Sequence, residues 1–402
     1  MLFDSFSFAV FLPVVFILHY FIFNKTKGSQ NILLLLASFF FYACWDWRFL
    51  SLLFFSILIN YWTGLKIHSE SDNKGKKKTI LIISLIINIG ILSFFKYFNF
   101  FIDSFNTLLS GFGFNSSLHT LSIILPVGIS FYTFHGMSYI LDVYKNKIEP
   151  TKNLADYSLF VSYFPLLVAG PIERANHLLP QLKERREFKY ENVSEGLKQI
   201  LWGLFKKVAV ADLCAVPANQ IFETYSTQPA GTLLLGAFFF TIQIYGDFSG
   251  YSDIALGTSR MFGIKLLKNF NYPYFSRDIA EFWRRWHISL SSWFKDYLYI
   301  PLGGSRGGTG QKIRNTFIIF LVSGFWHGAN WTYIVWGGLN AFFMLPSMIR
   351  GTNRKNLDIA AKGEIFTVSQ RNNSNTSHVP VNNVCMDIFP VRKHIRCVPL
   401  HH

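Results

Sequence analysis

The sequence predicts an all-α polytopic membrane protein. Half of its 402 residues are apolar (50%) and only 15% are charged, whereas soluble domains carry about 25% charged residues. Long uncharged apolar runs alternate with short basic stretches, and several of the runs are long enough to cross the roughly 30 Å hydrocarbon core of a bilayer. The same composition, with its 18% aromatic residues, excludes a disordered chain.

Each apolar run predicts a membrane helix, and the first covers residues 5–24. No basic segment precedes it and no small-residue cleavage site follows, so we expect a retained helix rather than a signal peptide. Further runs cover residues 32–44, 49–65, 79–102, 121–143, 228–246 and 315–349. The last run contains thirty-five residues without a Lys, Arg, Asp or Glu, which is enough for one long or two short spans.

Three other segments are too short or too polar for simple spans. Residues 157–172 contain two prolines and a glycine, which predicts a re-entrant segment. Residues 196–216 carry three lysines and an aspartate, so they are interfacial or line a polar cavity. Residues 247–314 mix glycines, aromatic residues and charges, a pattern typical of short amphipathic or re-entrant pieces at the membrane surface.

The basic residues predict how the chain is oriented in the membrane. Loops 24–31, 66–78 and 144–153 are rich in lysine, while the turn 45–48 has one basic residue and the stretch 103–120 has none. Because cytoplasmic loops carry the excess of Lys and Arg, we expect the basic loops to be cytoplasmic and the N-terminus to be outside.

The charge balance and the cysteines narrow the function class. The formal net charge is +15, but the basic residues lie in short stretches between apolar runs, so we expect a lipid bilayer and no nucleic acid as partner. The four cysteines form no C-x-x-C pattern, so we expect neither a disulfide framework nor a metal site.

His327 is the most informative residue for function. It lies in S-G-F-W-H-G-A-N-W, near the middle of the thirty-five-residue run. An ionisable group at membrane depth is costly and marks a functional site by default, and imidazole is the usual general base for a hydroxyl at neutral pH. The alternative is a histidine hydrogen-bonded between helices, with its ring against Trp326 or Trp331.

Two other histidines give weaker signals. His287 follows W-R-R-W, and with charged residues nearby a polar interfacial histidine needs no catalytic reason. His135 lies in an uncharged stretch where nothing suggests a role, so we interpret it as a packing residue. In Q-I-Y-G-D-F-S-G-Y-S-D, we interpret Asp247 and Asp253 as helix caps rather than as the wall of a polar funnel. The glycine-rich loop 303–310 matches no phosphate-binding pattern and is a weak signal.

These motifs resemble the membrane-bound O-acyltransferase (MBOAT) family, and within it the membrane subunits of alginate O-acetyltransferases. The resemblance covers about residues 1–349. It is carried by L-P-V-G-I-S-F-Y-T-F-H-G-M-S-Y, A-G-P-I-E-R, Q-I-Y-G-D-F-S-G-Y-S-D-I-A-L-G, F-W-R-R-W-H-I-S-L-S-S-W-F-K-D-Y-L-Y-I-P-L-G-G and S-G-F-W-H-G-A-N-W. The last three motifs together are highly specific.

The resemblance implies catalytic roles for two histidines. The histidine of the W-H-G motif corresponds to His327, and the one before I-S-L-S-S-W corresponds to His287. It also implies a ring of transmembrane helices around a funnel, in a multi-pass protein of the bacterial inner membrane. It implies no tightly bound cofactor, acetyl-CoA as acyl donor, an extracytoplasmic acetyltransferase partner protein and an exported, alginate-like polysaccharide as acceptor. No donor-binding residues are assigned.

The sequence departs from the family pattern after residue 349. Family members usually keep further spans after the W-H-G histidine, whereas residues 351–402 are polar and without an apolar run. We interpret 1–349 as a C-terminally incomplete MBOAT-like domain and 351–402 as a disordered or frame-shifted tail. Three alternatives stay open: teichoic-acid-type transfer from a carrier-protein thioester, a non-enzymatic sugar or lipid transporter, and an inactive truncated acyltransferase.

Overall fold

The computed structural model describes residues 1–114, 118–353 and 356. Throughout these residues the regular secondary structure is helical and no strand forms. Four helical stretches are long and apolar enough to cross a membrane, namely Lys27–Ser69, Lys74–Gly111, Ala230–Met261 and Trp331–Ile349. The all-α polytopic class is therefore confirmed, while the ring around a funnel stays a prediction.

Fifteen α-helices are numbered in chain order within the described ranges. They are α1 (Phe6–Ile17), α2 (Lys27–Asp46), α3 (Leu50–Ser69), α4 (Lys74–Gly111), α5 (Ile129–Tyr144), α6 (Leu154–Ser162), α7 (Phe164–Leu167), α8 (Ala175–Leu182), α9 (Tyr190–Leu204), α10 (Leu213–Glu223), α11 (Ala230–Met261), α12 (Ile279–Arg285), α13 (Ile288–Phe294), α14 (Thr309–His327) and α15 (Trp331–Ile349). Short π-helical segments follow α1, α9 and α13, at Leu18–Ile22, Phe205–Asp212 and Lys295–Tyr299.

The predicted loop 103–120 and the predicted span 121–143 are both wrong at their boundaries. Helix α4 continues to Gly111, so much of the expected loop is helical. Helix α5 begins only at Ile129, after Gly128 at φ 72°. Nearly every side chain of α5 is buried, because the helix packs against protein. Apolar composition alone does not distinguish such a helix from one that faces lipid.

The segment predicted to be re-entrant consists of two short helices. Helix α6 ends at Ser162 and α7 begins at Phe164, with the break at Tyr163. All side chains of α7 are buried, and so are those of α6 from Asp156 onward. The segment is thus short and broken, as its two prolines and its glycine indicate.

The chain divides into two compact units. The first comprises Met1–Val210, Gly246–Asn271 and His287–Tyr297. The second comprises Ala211–Tyr245, Tyr272–Trp286 and the described residues from Leu298 onward.

Glycines set the helix spacing in the first unit, between α9 and the C-terminal half of α11. A Cβ on Gly257 would lie 2.5 Å from the Gly196 carbonyl oxygen, and one on Gly250 would lie 2.7 Å from that of Gly203. Small residues permit this close approach of helices in membranes. Lys206 and Lys207, which follow α9, therefore lie next to α11, as the ion pairs below show.

The second unit contains a helical hairpin made of α14 and α15. Gly324 and Gly337 face each other where the two helices touch, with room for no side chain. The run 315–349 is thus two helices rather than one.

Of the predicted tail 351–402, only 351–353 and 356 belong to the described residues. Arg284 of α12 donates to the carbonyl oxygens of Asn353 and Asn356.

Candidate active site

His287 lies immediately before α13 and is almost completely buried, with 2% of its surface exposed. Its catalytic role stays a prediction, and burial argues against the alternative of a histidine that merely faces polar surroundings at the membrane surface. Its backbone adopts φ 45°, a left-handed conformation that is uncommon for residues other than glycine. The next amide, that of Ile288, donates to the Asn269 carbonyl oxygen at 2.8 Å, which holds this turn in place.

The imidazole of His287 is oriented by Asn269. Its Nδ1 lies 3.0 Å from Oδ1 of Asn269, which also accepts from the Ser289 hydroxyl at 3.0 Å. Nδ2 of Asn269 donates to the Ser252 hydroxyl at 3.1 Å, so the amide has a defined orientation. With an oxygen acceptor at Nδ1, the neutral imidazole carries its proton there, and Nε2 is the basic nitrogen.

Neighbouring elements enclose this histidine. The ring of Phe248 meets the imidazole edge-on, with 4.7 Å between the ring centroids. The Ser289 hydroxyl accepts from the backbone amide of Ile172 at 3.0 Å, so the A-G-P-I-E-R segment lies beside α13. Asn269 and Ser289 were not predicted as site residues, because nothing in their local sequence distinguishes them from other buried polar residues.

His135 is a buried structural acceptor. Its Nε2 accepts from the backbone amide of Glu173 at 3.1 Å, and no part of its side chain reaches solvent. This contact accounts for the residue without a role in chemistry, in line with its interpretation as a packing residue.

The fully buried Glu173 carboxylate lies 2.8 Å from Nδ1 of His177, and this hydrogen bond raises the pKa of His177.

His327 is the last residue of α14, in the second unit. The middle of the uncharged run is a turn between two helices rather than the centre of one span, so run length does not place His327 at membrane depth. Its imidazole meets Trp326 and Trp336 edge-on, at centroid distances of 4.9 and 5.3 Å. Trp336 in turn contacts Trp283 of α12, with 5.8 Å between the ring centroids, and Trp283 also contacts Phe320 of α14.

Asp247 and Asp253 are not helix caps, contrary to prediction. Both lie inside α11, where Asp247 pairs with Lys207 at 2.9 Å and Asp253 pairs with Lys206. The Ser249 hydroxyl accepts from Lys206 as well. These two ion pairs compensate Lys206 and Lys207, while the third lysine of 196–216, Lys198, pairs with Glu195 of its own helix.

The glycine-rich loop 303–310 folds back on the start of α14. Asn315 donates through Nδ2 to the carbonyl oxygens of Leu302 and Gly304, at 3.2 and 3.1 Å. Gly303 and Gly304 adopt positive φ values of 97° and 58°, which this turn requires. In the described part of the chain, no three His, Cys, Asp or Glu side chains form a cluster that could hold a metal ion.

Comparison with known proteins adds to this geometry. Residues 144–358 match MBOAT, the membrane-bound O-acyltransferase family. The probable alginate O-acetylase AlgI of Pseudomonas aeruginosa is 43% identical over 344 residues, which are 86% of this chain and 65% of that protein. The peptidoglycan O-acetyltransferase of Helicobacter pylori is 42% identical over 82% of this chain and 67% of its own length.

A relative of lower identity carries a different name. The teichoic acid D-alanyltransferase of Streptococcus thermophilus is 30% identical over 231 residues, 54% of this chain and 55% of that protein. The chain thus spans about two thirds of the length of the more similar relatives. Because the matched region 144–358 contains both His287 and His327 and makes up more than half of the chain, the protein belongs to the membrane-bound O-acyltransferase family.

Proposed function

We propose that this protein is an O-acyltransferase that moves acetyl groups from cytosolic acetyl-CoA across the membrane for the O-acetylation of an exported, alginate-like polysaccharide. An extracytoplasmic acetyltransferase partner takes part in the transfer, and the protein resides in the bacterial inner membrane. Relatives named as an alginate O-acetylase and a peptidoglycan O-acetyltransferase, both more than 40% identical, support this proposal.

The observation that carries the proposal is the presence of two positioned histidines within the family-matched region. His287 is fixed by Asn269, and His327 ends α14 between tryptophan rings. In the proposed reaction His327 accepts the proton of the acceptor hydroxyl while the hydroxyl oxygen attacks the thioester carbon. The new C–O bond forms, the C–S bond breaks, and the proton passes to the leaving thiolate of CoA.

The charge of the loops supports the proposed donor and the proposed side of the membrane. Acetyl-CoA is large and anionic, and the basic loops 66–78 and 144–153 offer the positive charge that attracts such a molecule. By the positive-inside rule these loops are cytoplasmic, so the donor approaches from the side on which acetyl-CoA is made.

A second candidate function is transfer from a carrier-protein thioester to teichoic acid. The 30% identity to a teichoic acid D-alanyltransferase favours it, but this likeness covers a smaller part of the chain than the likeness to the O-acetylases does.

Transfer by purified protein in vesicles distinguishes these functions. Acetyl-CoA is supplied on the side of the basic loops, and free CoA and acetyl esters on polymer or partner are measured. We expect free CoA and acetyl esters to form together, at the same rate. Turnover only with an acylated carrier protein would favour the teichoic-acid type, and polymer or lipid movement without ester formation would favour a transporter.

A further inference from the structure

Three cationic side chains surround one tyrosine ring in the first unit. Tyr297 lies in the π-helical segment Lys295–Tyr299. Nζ of Lys145 lies 5.4 Å from the ring centroid, Nζ of Lys147 lies 5.9 Å from it, and the guanidinium carbon of Arg174 lies 5.1 Å from it. These four residues are called the Tyr297 cluster below. Insertions of π-helix often occur at functional sites.

The two lysines are held in place by the end of α5. The amide of Lys147 donates to the Asp142 carbonyl oxygen at 2.9 Å, and that of Asn146 donates to the Val143 carbonyl oxygen at 3.0 Å. Asn146 adopts φ 55° to close this turn. Its side chain accepts from the buried Lys77 at 2.8 Å, which adds a fourth cation next to the cluster.

The carboxylates nearby do not balance this charge. Asp142 accepts from the Tyr297 hydroxyl at 2.8 Å and lies 3.6 Å from Nζ of Lys147. Asp296 lies 3.8 Å from the Arg174 guanidinium. Glu173 is a third carboxylate whose charge acts on Arg174, but it is already hydrogen-bonded to His177. Four cations thus stand against three carboxylates, and both ion pairs are longer than a hydrogen bond.

Arg174 and Lys145 have only long hydrogen bonds to compensate their charges. Nη2 of Arg174 donates to the Ser292 hydroxyl at 3.4 Å, and Nζ of Lys145 donates to the Asp296 carbonyl oxygen at 3.5 Å. The Arg174 side chain is only 9% exposed, and its Nη1 has no hydrogen-bond partner among the residues that the structure describes. Partial desolvation at its otherwise exposed site, followed by the neighbouring Lys147 ammonium, lowers the pKa of Lys145. A bound anion would relieve this crowding of positive charge, because phosphate oxygens accept from guanidinium and ammonium groups together.

We propose that the Tyr297 cluster binds the phosphate groups of the acyl donor. The inference rests on the proposed function, since it takes the donor to be a CoA thioester. Helix α13 and the π-helical segment run without interruption from His287 to Tyr297, and ten residues at 1.5 Å each separate the two by roughly 15 Å. A CoA thioester likewise carries its acyl group and its phosphates at opposite ends of a long pantetheine arm.

The test measures binding of CoA to the full-length protein in nanodiscs, without acceptor. The variant is Lys145→Gln/Lys147→Gln, whose side chains are exposed and leave the buried residues untouched. The matched control is Lys76→Gln/Lys78→Gln, two exposed lysines of another basic loop. Each nanodisc preparation is made with zwitterionic lipid alone and with added phosphatidylglycerol, and pantetheine, which lacks phosphate, is titrated alongside CoA.

We expect the cluster variant to bind CoA at least about tenfold more weakly, with the control near wild type and pantetheine binding unchanged. Equal binding of CoA by all three proteins, or no binding by wild type, would overturn the proposal. If the cluster variant binds CoA as wild type does but retains less phosphatidylglycerol than wild type, the cluster binds a lipid headgroup instead. Because no turnover is measured, cluster-dependent binding stands even if acetyl transfer fails.

Discussion

The imidazole of His287 and the amide of Asn269 form a buried pair, with 3.0 Å between Nδ1 and Oδ1. Both side chains are at least 98% buried. Because Asn269 is itself held by Ser252, the imidazole has one preferred orientation and one preferred tautomer. Together with the predicted catalytic role of His287, this contact predicts that Asn269 is a positioning residue that acts through His287.

Replacing Asn269 tests this relationship. Asn269→Ala should lower kcat for acetyl transfer about tenfold or more, because His287 loses the acceptor that fixes its tautomer. KM for the donor should change little. Asn269→Asp keeps an oxygen at this place and should recover part of the rate. Equal loss in both variants, or a change confined to KM, would contradict a positioning role.

Because α9 and α11 are in close contact, alanine substitutions at two glycines of α11 should differ sharply in their effect on stability. Gly257→Ala places a methyl group against the backbone of Gly196 and should destabilise the folded protein by about 1–3 kcal/mol. Gly231→Ala, in the same helix, meets nothing within 4 Å and should be neutral or slightly stabilising. Thermal unfolding in detergent, followed by size-exclusion chromatography, compares the two. Equal melting curves would show that α9 and α11 do not pack as described.

The pair of Glu173 and His177 predicts a pH-dependent stability. Its hydrogen bond raises the pKa of His177 in the folded state, so its contribution is fully present below the unfolded pKa of about 6.5 and is lost as pH rises through the folded pKa. His177→Gln should therefore destabilise the protein near pH 5.5, by on the order of 0.5 kcal/mol after solvent screening. The difference from wild type should shrink towards about pH 8.5. A difference that grows with pH would contradict the sign of this coupling.

Orientation in the membrane is testable with single cysteines. In a cysteine-free background, Ser71→Cys and Glu149→Cys should resist an impermeant thiol reagent added to intact cells, because the basic loops are expected to face the cytoplasm. Thr120→Cys should react. All three positions are exposed, so accessibility reports the side of the membrane. The reverse pattern would overturn the orientation.

Much of the fold could be predicted from patterns visible in the sequence. The predictions that failed share one cause. The uncharged runs predicted the class, and the break near Pro165 appeared as two short helices. Composition could not show that α5 packs against protein. Nor could it show that Asp247 and Asp253 pair with lysines of a neighbouring segment. Contacts between elements distant in sequence decide these points.

The candidate site, like the fold, could be predicted only in part from the sequence. Motif resemblance pointed to His287 and His327, and their catalytic roles stay predictions. Asn269 lies eighteen residues before His287, and only the folded chain brings the two side chains together. The strained backbone of His287, at φ 45°, is equally invisible in sequence. The motifs thus identify the two histidines, whereas the side chains around them are known only from tertiary contacts.

The most direct test of the account is the rate of acetyl transfer by His327→Ala in reconstituted vesicles. The exposed His68→Ala serves as control, and both variants are compared at equal amounts of inserted protein. Removal of a general base should lower the rate by about 10²–10⁴-fold, while His68→Ala should match wild type. Near-normal ester formation by correctly inserted His327→Ala would contradict the proposed mechanism.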